Sequence, residues 1–179
     1  WEVGIPHVTL LAPPNPNRAH LVRAVERAED LGMIAGVRGL ASDLTGDLMA
    51  DLRMAGIDHV TFPYASDDAD LHDGFYGQGD HAAAHDLLNW LEENQISAVA
   101  EIPLVPATVD TLEESVNTLL TLGADNFSFV AFATVEPTPK EDQEVFAAEG
   151  MAQIATTVEE IAHTAQARFM WSPPVERNT

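Results

Sequence analysis

The sequence contains no cysteine among its 179 residues. Disulfide bonds, thiolate-bound zinc, cysteine nucleophiles and cysteine-ligated iron–sulfur clusters are therefore excluded within this chain. The sequence also lacks an apolar run of the roughly 18 residues that a membrane-spanning helix needs, and it carries no signal-peptide pattern. These absences favour a cytoplasmic protein that is not associated with a membrane.

Positively charged residues are also scarce. Lys140 is the only lysine, and 8 Lys and Arg residues face 29 Asp and Glu residues, which gives a net charge of −21. Binding to a nucleic-acid backbone or to an anionic membrane requires clustered Lys and Arg, and no such cluster is present. We therefore expect no nucleic-acid or membrane partner. The negative charge favours solubility, and a basic protein partner is the alternative explanation.

What the sequence does contain is an alternation of apolar strands and amphipathic helices. Helices end on glycine and continue into an apolar strand, as in "DLGMIAGV", "MAGIDHVTF" and "TLGADNFSFV". The strands are predicted over residues 7–11, 33–37, 57–62, 96–104, 126–133 and 168–172. The helices are predicted over residues 18–31 and 44–55, from Asp80, from Asp110 and over 144–167, with a long loop at 63–79.

This alternation predicts the fold class. Strands that alternate with helices pair in parallel through right-handed crossovers. Six strands are too few for a closed eight-stranded barrel of about 250 residues. We therefore expect an α/β fold, a partial (βα)6-type barrel with parallel strands, in a single domain over residues 1–179. Ligands bind outside the carboxyl ends of such strands, which here are the loops after Leu11, Val37, Phe62, Leu104 and Ala133.

Four segments carry a resemblance to a known family. In chain order they are "GIPHVTL", "LGMIAGV", "AGIDHVTF" and "DADLHDGFYGQGDH". Their order and spacing resemble the second, third and fourth strands of a radical SAM core, followed by the segment that precedes its next helix. The resemblance implies a partial TIM barrel. It also implies that the chain is a fragment without the family's first strand and the three-cysteine loop that holds the [4Fe-4S] cluster.

The loops that bind S-adenosylmethionine (SAM) in the family differ in this sequence. The family's Gly-Gly-Glu falls on Ala12, Pro13 and Pro14, so the glutamate that accepts a hydrogen bond from the SAM amino group is absent. The serine and aspartate of the loop after the fourth strand are also lost, and Tyr76 replaces an arginine. Proline has no backbone N–H and fixes φ. We therefore expect no cofactor in this chain, with SAM and a [4Fe-4S] cluster implied only if a working cluster segment lies upstream.

The barrel mouth supplies the candidate binding site. Its candidate residues are Ala12, Pro13, Pro14, Arg38, Tyr64 and Glu101. Glu101 interrupts an apolar strand, and a buried carboxylate needs a partner. Arg38 lies at the end of another strand, so we hypothesise an internal Arg38–Glu101 ion pair. The pair is either a purely structural salt bridge or, together with Tyr64, part of a site for an unidentified small ligand.

A second cluster offers a metal hypothesis that the sequence does not favour. His81 and His85 share a helix face, and with Asp80, Asp86 and His72 they could hold zinc. Two histidines at this spacing are a weak signal, so we predict no metal site and no catalytic residue. The acidic residues of the preceding loop lack the spacing of a calcium site, and we interpret them as a solvated edge.

Three functions remain open. The first is a non-catalytic radical-SAM-like module, a degenerate enzyme or scaffold that binds a protein partner, with an implied link to peptide or cofactor maturation. The second is a fragment of an active radical SAM enzyme whose cluster segment lies upstream. The third is a metal-dependent barrel enzyme that uses Glu101.

Overall fold

The computed structural model describes residues 4, 6–131, 148–165 and 167–171. Six strands form one sheet in the order β1 to β6, and every neighbouring pair is parallel. The strands are β1 (His7–Leu11), β2 (Ile34–Arg38), β3 (His59–Pro63), β4 (Ser97–Leu104), β5 (Asn126–Ala131) and β6 (Arg168–Trp171). The predicted α/β fold with six parallel strands is therefore confirmed.

Helices connect the successive strands. They are α1 (Arg18–Asp30), α2 (Gly46–Met54), α3 (Ala69–Tyr76), α4 (Asp80–Glu93), α5 (Pro106–Val109), α6 (Leu112–Thr121) and α7 (Ala148–Thr164). A 3-10 helix at Ala41–Asp43 precedes α2. No helix among the described residues is both long enough and apolar enough to cross a membrane.

The two faces of the sheet have different chemistry because side chains alternate along a strand. Val37, Val60, Ala100 and Phe127 point toward the helices and have no solvent exposure. They form the core together with apolar helix residues such as Leu52. We call the opposite side of the sheet the inner face, since a closed barrel would enclose it.

Register places charged and apolar groups together on the inner face. Leu11 pairs with Arg38 across β1 and β2, and Pro63 pairs with Glu101 across β3 and β4. Glu101 in turn pairs with Ser128 of β5. Residues paired across parallel strands share a face, so Arg38 and Glu101 project to the same side of the sheet near its carboxyl end.

The predicted loop at 63–79 contains a helix that the sequence analysis missed. Asp68 caps the N-terminus of α3, and its side chain accepts hydrogen bonds from the backbone N–H groups of Asp70 and Leu71. The helix is only eight residues long and includes Gly74, so its apolar periodicity is too short to recognise. The prediction of a loop was wrong because a cap and tertiary contacts, rather than periodicity, stabilise α3.

Two predicted helix starts also differ. Asp80 is the first residue of α4 rather than its cap, and Gly79 occupies the cap position in a left-handed conformation. Instead of a capping box between Asp110 and Glu113, the short α5 comes first and α6 begins after Thr111. The predicted ends of the fifth and sixth strands, at 132–133 and 172, and the predicted helix start at 144–147 lie outside the described residues.

Candidate binding site at the barrel mouth

An ion pair crosses the inner face at the carboxyl end of the sheet. The Arg38 Nε donates to Glu101 Oε2 at 2.9 Å, and the Arg38 Nη2 donates to Glu101 Oε1. The pair spans β3, which lies between the two strands that carry it. The hypothesised pair is therefore present, in the two-pronged geometry that makes guanidinium–carboxylate contacts strong.

The pair remains accessible from solvent. The Arg38 side chain is 41% exposed and the Glu101 side chain is 19% exposed. The hydrogen bond to Glu101 raises the pKa of Arg38, although burial opposes this change. Burial also raises the pKa of the neighbouring Tyr76 to about 12, so this phenol is neutral at physiological pH. The mouth therefore presents a cation, an anion and a neutral hydroxyl.

A cavity of about 540 Å³ opens beside this ion pair. Its lining residues are Ala12, Arg38, Gly39, Leu40, Pro63, Phe75, Tyr76, Glu101, Pro103, Val105 and Val130. Apart from the ion pair and the Tyr76 hydroxyl, the lining side chains are apolar. The cavity is thus suited to an apolar group with a polar attachment.

The backbone at the mouth offers few free donors to a ligand. The N–H of Ala12 donates to the Arg38 carbonyl at 2.8 Å, and the N–H of Tyr64 donates to the Glu101 carbonyl at 2.8 Å. The N–H of Asn15 donates to Asp43 Oδ1 at 2.9 Å. Pro13 and Pro14 have no N–H. The proline-rich loop is therefore bonded to its own protein rather than open to a cofactor.

The structure brings only some of the predicted site residues together. Ala12, Arg38 and Glu101 line the cavity, whereas Pro13 and Pro14 are exposed and do not. Tyr64 is fully buried and faces the helices, with its hydroxyl 2.9 Å from His85 Nε2. Whether these residues bind a ligand stays a prediction.

Sequence reasoning missed Phe75 and Tyr76 as lining residues. Both belong to α3, which was not predicted. The replacement of the family arginine by Tyr76 was visible in the sequence and was the available signal. The alternation of side chains also explains why Tyr64 does not line the cavity. Pro63 faces inward, so the side chain of the next residue points toward the helices.

Several exposed apolar side chains lie on the inner face or at the cavity. Five large hydrophobic residues are strongly exposed in the structure: Leu11, Ile34, Met54, Phe75 and Met170. Register places three of them on the inner face of β1, β2 and β6, and Phe75 lines the cavity. Four of the five therefore lie on the inner face or at the cavity, with Ile34 at the amino end of the sheet, away from the mouth.

A buried hydrogen bond between His72 and Asp80 connects two helices beside the mouth. His72 Nδ1 accepts from the Ala65 N–H at 3.3 Å, so His72 Nε2 carries the proton that it donates to Asp80 Oδ2 at 3.1 Å. Asp80 Oδ1 also accepts from the Ser42 N–H at 2.9 Å. Burial opposes ionisation of Asp80, but these hydrogen bonds outweigh it and lower its pKa. The His72–Asp80 contact thus ties α3 to α4, which is a structural role and not the metal-binding role considered from sequence.

The residues of this chain do not fit the [4Fe-4S] cluster that the family resemblance implies. Such a cluster is held by cysteine thiolates, and none of the 179 residues is cysteine. The carboxylate that the resemblance leads one to expect for SAM is also absent, since Ala12, Pro13 and Pro14 occupy its loop. No step is therefore derived through either group.

Comparisons with known proteins identify the fold. No family model matches the chain, and no curated protein matches it. SuiB of Streptococcus suis has a TM-score of 0.71 at 13% identity, over 93% of this chain and 39% of that chain. A domain of pyruvate-formate lyase-activating enzyme from Bacteroides vulgatus has a TM-score of 0.68 at 12% identity, over 92% of this chain and 98% of that one.

A third structure is explicitly a radical SAM enzyme. Coproporphyrinogen III oxidase (HemN) of Escherichia coli has a TM-score of 0.56 at 15% identity, over 84% of this chain and 41% of that chain. SuiB has also been solved with SAM and with its precursor peptide SuiA. At these identities the superpositions establish the fold, and the chain spans about two fifths of SuiB. This chain therefore has the fold of the radical SAM enzymes, built from six parallel strands that alternate with helices, and it contains no cysteine.

Proposed function

We propose that this chain is a non-catalytic, radical-SAM-like binding domain that holds a peptide segment of a partner protein at its barrel mouth and does not bind SAM. The observation that carries the proposal is the Arg38–Glu101 ion pair beside a largely apolar cavity. A cytoplasmic location is part of the same proposal, because the absence of cysteine favours it.

Hydrogen-bonding capacity argues against SAM. A bound SAM needs an acceptor for its amino group and donors for its carboxylate. Glu101 is the only carboxylate among the residues lining the cavity, and Arg38 already occupies both of its oxygens. The N–H groups of Ala12 and Tyr64 are bonded to neighbouring strands. Binding SAM would first require breaking contacts within the protein, which costs free energy.

Apolar exposure argues for a peptide. Leu11 and Met170 are 68% and 56% exposed on the inner face, and Phe75 is 43% exposed at the cavity. An extended or helical peptide can cover several separate apolar side chains and place one of its own in the cavity. Its polar backbone can meet the exposed edge of the ion pair. SuiB, which shares this fold over 38% of its chain, has been solved with its precursor peptide SuiA, and by analogy this links the domain to peptide binding and maturation.

One specific observation favours a second function. SuiB has been solved with SAM, so this chain as part of an active radical SAM enzyme is the alternative. Calorimetric titration of SAM into the full-length gene product, with iron measured on the same sample, separates the two. We expect no heat of binding and no iron. SAM binding together with about four irons per chain would overturn the proposal in favour of the alternative.

A second experiment tests the peptide site directly. Random peptides displayed on phage are selected on the wild-type protein and then tested on Leu11→Glu and Phe75→Glu variants. The matched control is Met54→Glu, because Met54 is 85% exposed but belongs to α2. We expect selected peptides to bind the wild type and the control, and to lose at least tenfold in affinity for the other two variants. Failure to select any binder, or equal binding to all variants, contradicts the peptide site.

A further inference from the structure

Four polar side chains converge outside the barrel mouth, between the β3–α3 connection and α4. The Tyr64 hydroxyl lies 2.9 Å from His85 Nε2 and 3.3 Å from His81 Nε2. It also lies 3.4 Å from Asp67 Oδ1. The imidazole ring centres of His81 and His85 are 4.4 Å apart. Neither histidine is needed for the proposed peptide site.

The fold positions each of these groups. His81 and His85 are four residues apart on α4, so they project from one face of the helix. Asp67 is fixed by its backbone N–H, which donates to Ser115 Oγ of α6 at 2.9 Å. The Tyr64 ring is fully buried below them. The cluster therefore joins three parts of the chain that the sequence does not place together, and Asp67 takes the place that Asp80, Asp86 and His72 held in the sequence hypothesis.

The geometry is that of a ligand set for a divalent cation. One ligand atom from each of Asp67, His81 and His85 lies within 4.8 Å of the other two, and all three residues are partly buried. Bond lengths of about 2.0–2.1 Å at a tetrahedral metal place ligand atoms roughly 3.3 Å apart. Modest side-chain rotations close this difference. Among the residues that the structure describes, this is the only group of three or more such side chains close enough to share an ion.

Hydrogen bonding alone satisfies the cluster poorly. A phenol has one proton, so the Tyr64 hydroxyl can donate to only one of its three neighbours. Of its three contacts only that to His85 is at an ordinary hydrogen-bond distance, because 3.3 and 3.4 Å are long for such bonds. Asp67 and His81 thus lie beside the Tyr64 hydroxyl without a short hydrogen bond to it.

The surroundings favour a cation over an anion. A cleft of about 560 Å³ adjoins His85, and Asp110, Glu113 and Glu114 line its other side. The net charge of the protein is −21, so the local potential attracts positive ions. The cleft reaches the cluster at His85. Nitrogen and carboxylate ligands without thiolate suit zinc, cobalt or nickel better than magnesium or calcium.

We propose that Asp67, His81 and His85 form a binding site for one divalent transition-metal ion of the zinc class. The fourth position of the ion opens to the acidic cleft, and Tyr64 supports the ligands from below. This assignment departs from the expectation of no metal that the sequence alone gave. It does not rest on the proposed peptide function, because the cluster and the barrel mouth share no residue.

Zinc binding to the metal-free protein tests the site. The protein is stripped with a chelator, dialysed and titrated with Zn²⁺ in a calorimeter, and its melting temperature is measured with and without the metal. We expect one zinc per chain and a rise in melting temperature. Co²⁺ in place of Zn²⁺ should give visible absorption bands typical of four or five ligands.

Three variants and two controls identify the ligands. Asp67→Asn keeps the shape of the side chain, and His81→Asn and His85→Asn remove one imidazole each. We expect each to weaken Zn²⁺ binding at least tenfold and to lose the cobalt bands. His20→Asn on α1 and His59→Asn, next to His7 on the inner face, should bind as the wild type does. Circular dichroism checks that each variant is folded.

Any of three results would overturn the assignment. The first is the absence of stoichiometric zinc binding by the wild-type protein, which leaves the cluster as hydrogen bonds alone. The second is binding that persists in the folded Asp67→Asn, His81→Asn and His85→Asn variants, which places the ion elsewhere. Loss of binding in the His59→Asn control would likewise transfer the site to the His7–His59 pair.

Discussion

Glu101 is a carboxylate inside an otherwise apolar strand, and its partner decides whether it is tolerated. Arg38 supplies two hydrogen bonds to it from two strands away. Because both side chains retain solvent exposure, neither pays the desolvation cost of a fully buried ion. The pair therefore holds β2 and β4 at a fixed separation over β3 without a large gain in stability.

A double-mutant cycle measures that gain. We expect Glu101→Gln and Arg38→Gln each to lower the free energy of unfolding, with a coupling energy of about 1 kcal/mol between the two positions. Urea unfolding of the wild type, the two single variants and the double variant at neutral pH gives this value. Strict additivity of the two single effects would show that the contact contributes nothing to stability.

The His72–Asp80 pair supports a second prediction at the residue scale. Asp80→Asn replaces one acceptor oxygen with a donor, which then faces the N–H of either His72 or Ser42. We expect this buried mismatch to cost about 1–3 kcal/mol at neutral pH. Asp86→Asn on the exposed side of α4 is the matched control and should change stability little.

The cost of Asp80→Asn should depend on pH. The pKa of Asp80 is lowered in the folded protein, so its contribution is fully present above the unfolded value of about 4. That contribution is lost as the pH falls through the lower folded value. Urea unfolding at pH 7 and near pH 3 should therefore show the difference between wild type and variant shrinking in acid. A difference that is equal at both pH values would contradict the ionised state of Asp80.

At the scale of elements, the sequence predicts the sheet well and the segment after β3 poorly. The glycine-ended helices and apolar runs predict every strand and the order of the fold, because that information is local. The position of α3 depends on the Asp68 cap and on the contact between His72 and Asp80, which lie across a turn from one another. No periodicity in the sequence reports such contacts.

The candidate site residues were likewise predictable only in part. The Arg38–Glu101 pair was predictable because both residues lie on strands whose parallel arrangement was already expected. The convergence of Tyr64 and Asp67 on His81 and His85 was not predictable in full. The two histidines were visible at helical spacing, but their third partner comes from a connection whose path the sequence does not specify.

Gly123 at the end of α6 gives a prediction at the element scale. Its φ of +95° is a conformation that glycine adopts freely, and an added Cβ would lie 2.8 Å from Glu92 Cδ. The Glu92 side chain can move away, so we expect backbone strain to dominate the cost of Gly123→Ala, at about 1–2 kcal/mol.

The matched control for Gly123→Ala is Gly46→Ala. Gly46 begins α2 with an ordinary φ, and an added Cβ there has no atom within 4 Å. We expect this substitution to leave stability unchanged or to raise it slightly, because alanine favours a helix. Chemical denaturation of both variants checks the comparison. Equal effects of the two substitutions would contradict a conformational role for Gly123.

At the scale of the whole molecule, the excess of negative charge dominates. With 29 acidic residues and 8 Lys and Arg, most carboxylates have no Lys or Arg to neutralise them. The ion pairs of the described residues include Arg18–Asp51 and Arg38–Glu101, and such pairs lose strength when salt screens them. Repulsion among the unpaired carboxylates weakens under the same screening, so the two effects oppose one another.

Repulsion should win, and added salt should therefore stabilise the fold. The screening length falls from about 30 Å in 0.01 M salt to about 3 Å in 1 M, which removes most of the repulsion between separated carboxylates. We expect the melting temperature, measured by circular dichroism, to rise steadily with NaCl over this range.

The matched variant is Glu92→Gln/Glu93→Gln, which removes two negative charges from the last turn of α4, where they oppose the helix dipole. It should melt at a higher temperature than the wild type in low salt and show a smaller rise with NaCl. A melting temperature that falls with NaCl would show that the specific ion pairs outweigh the net charge.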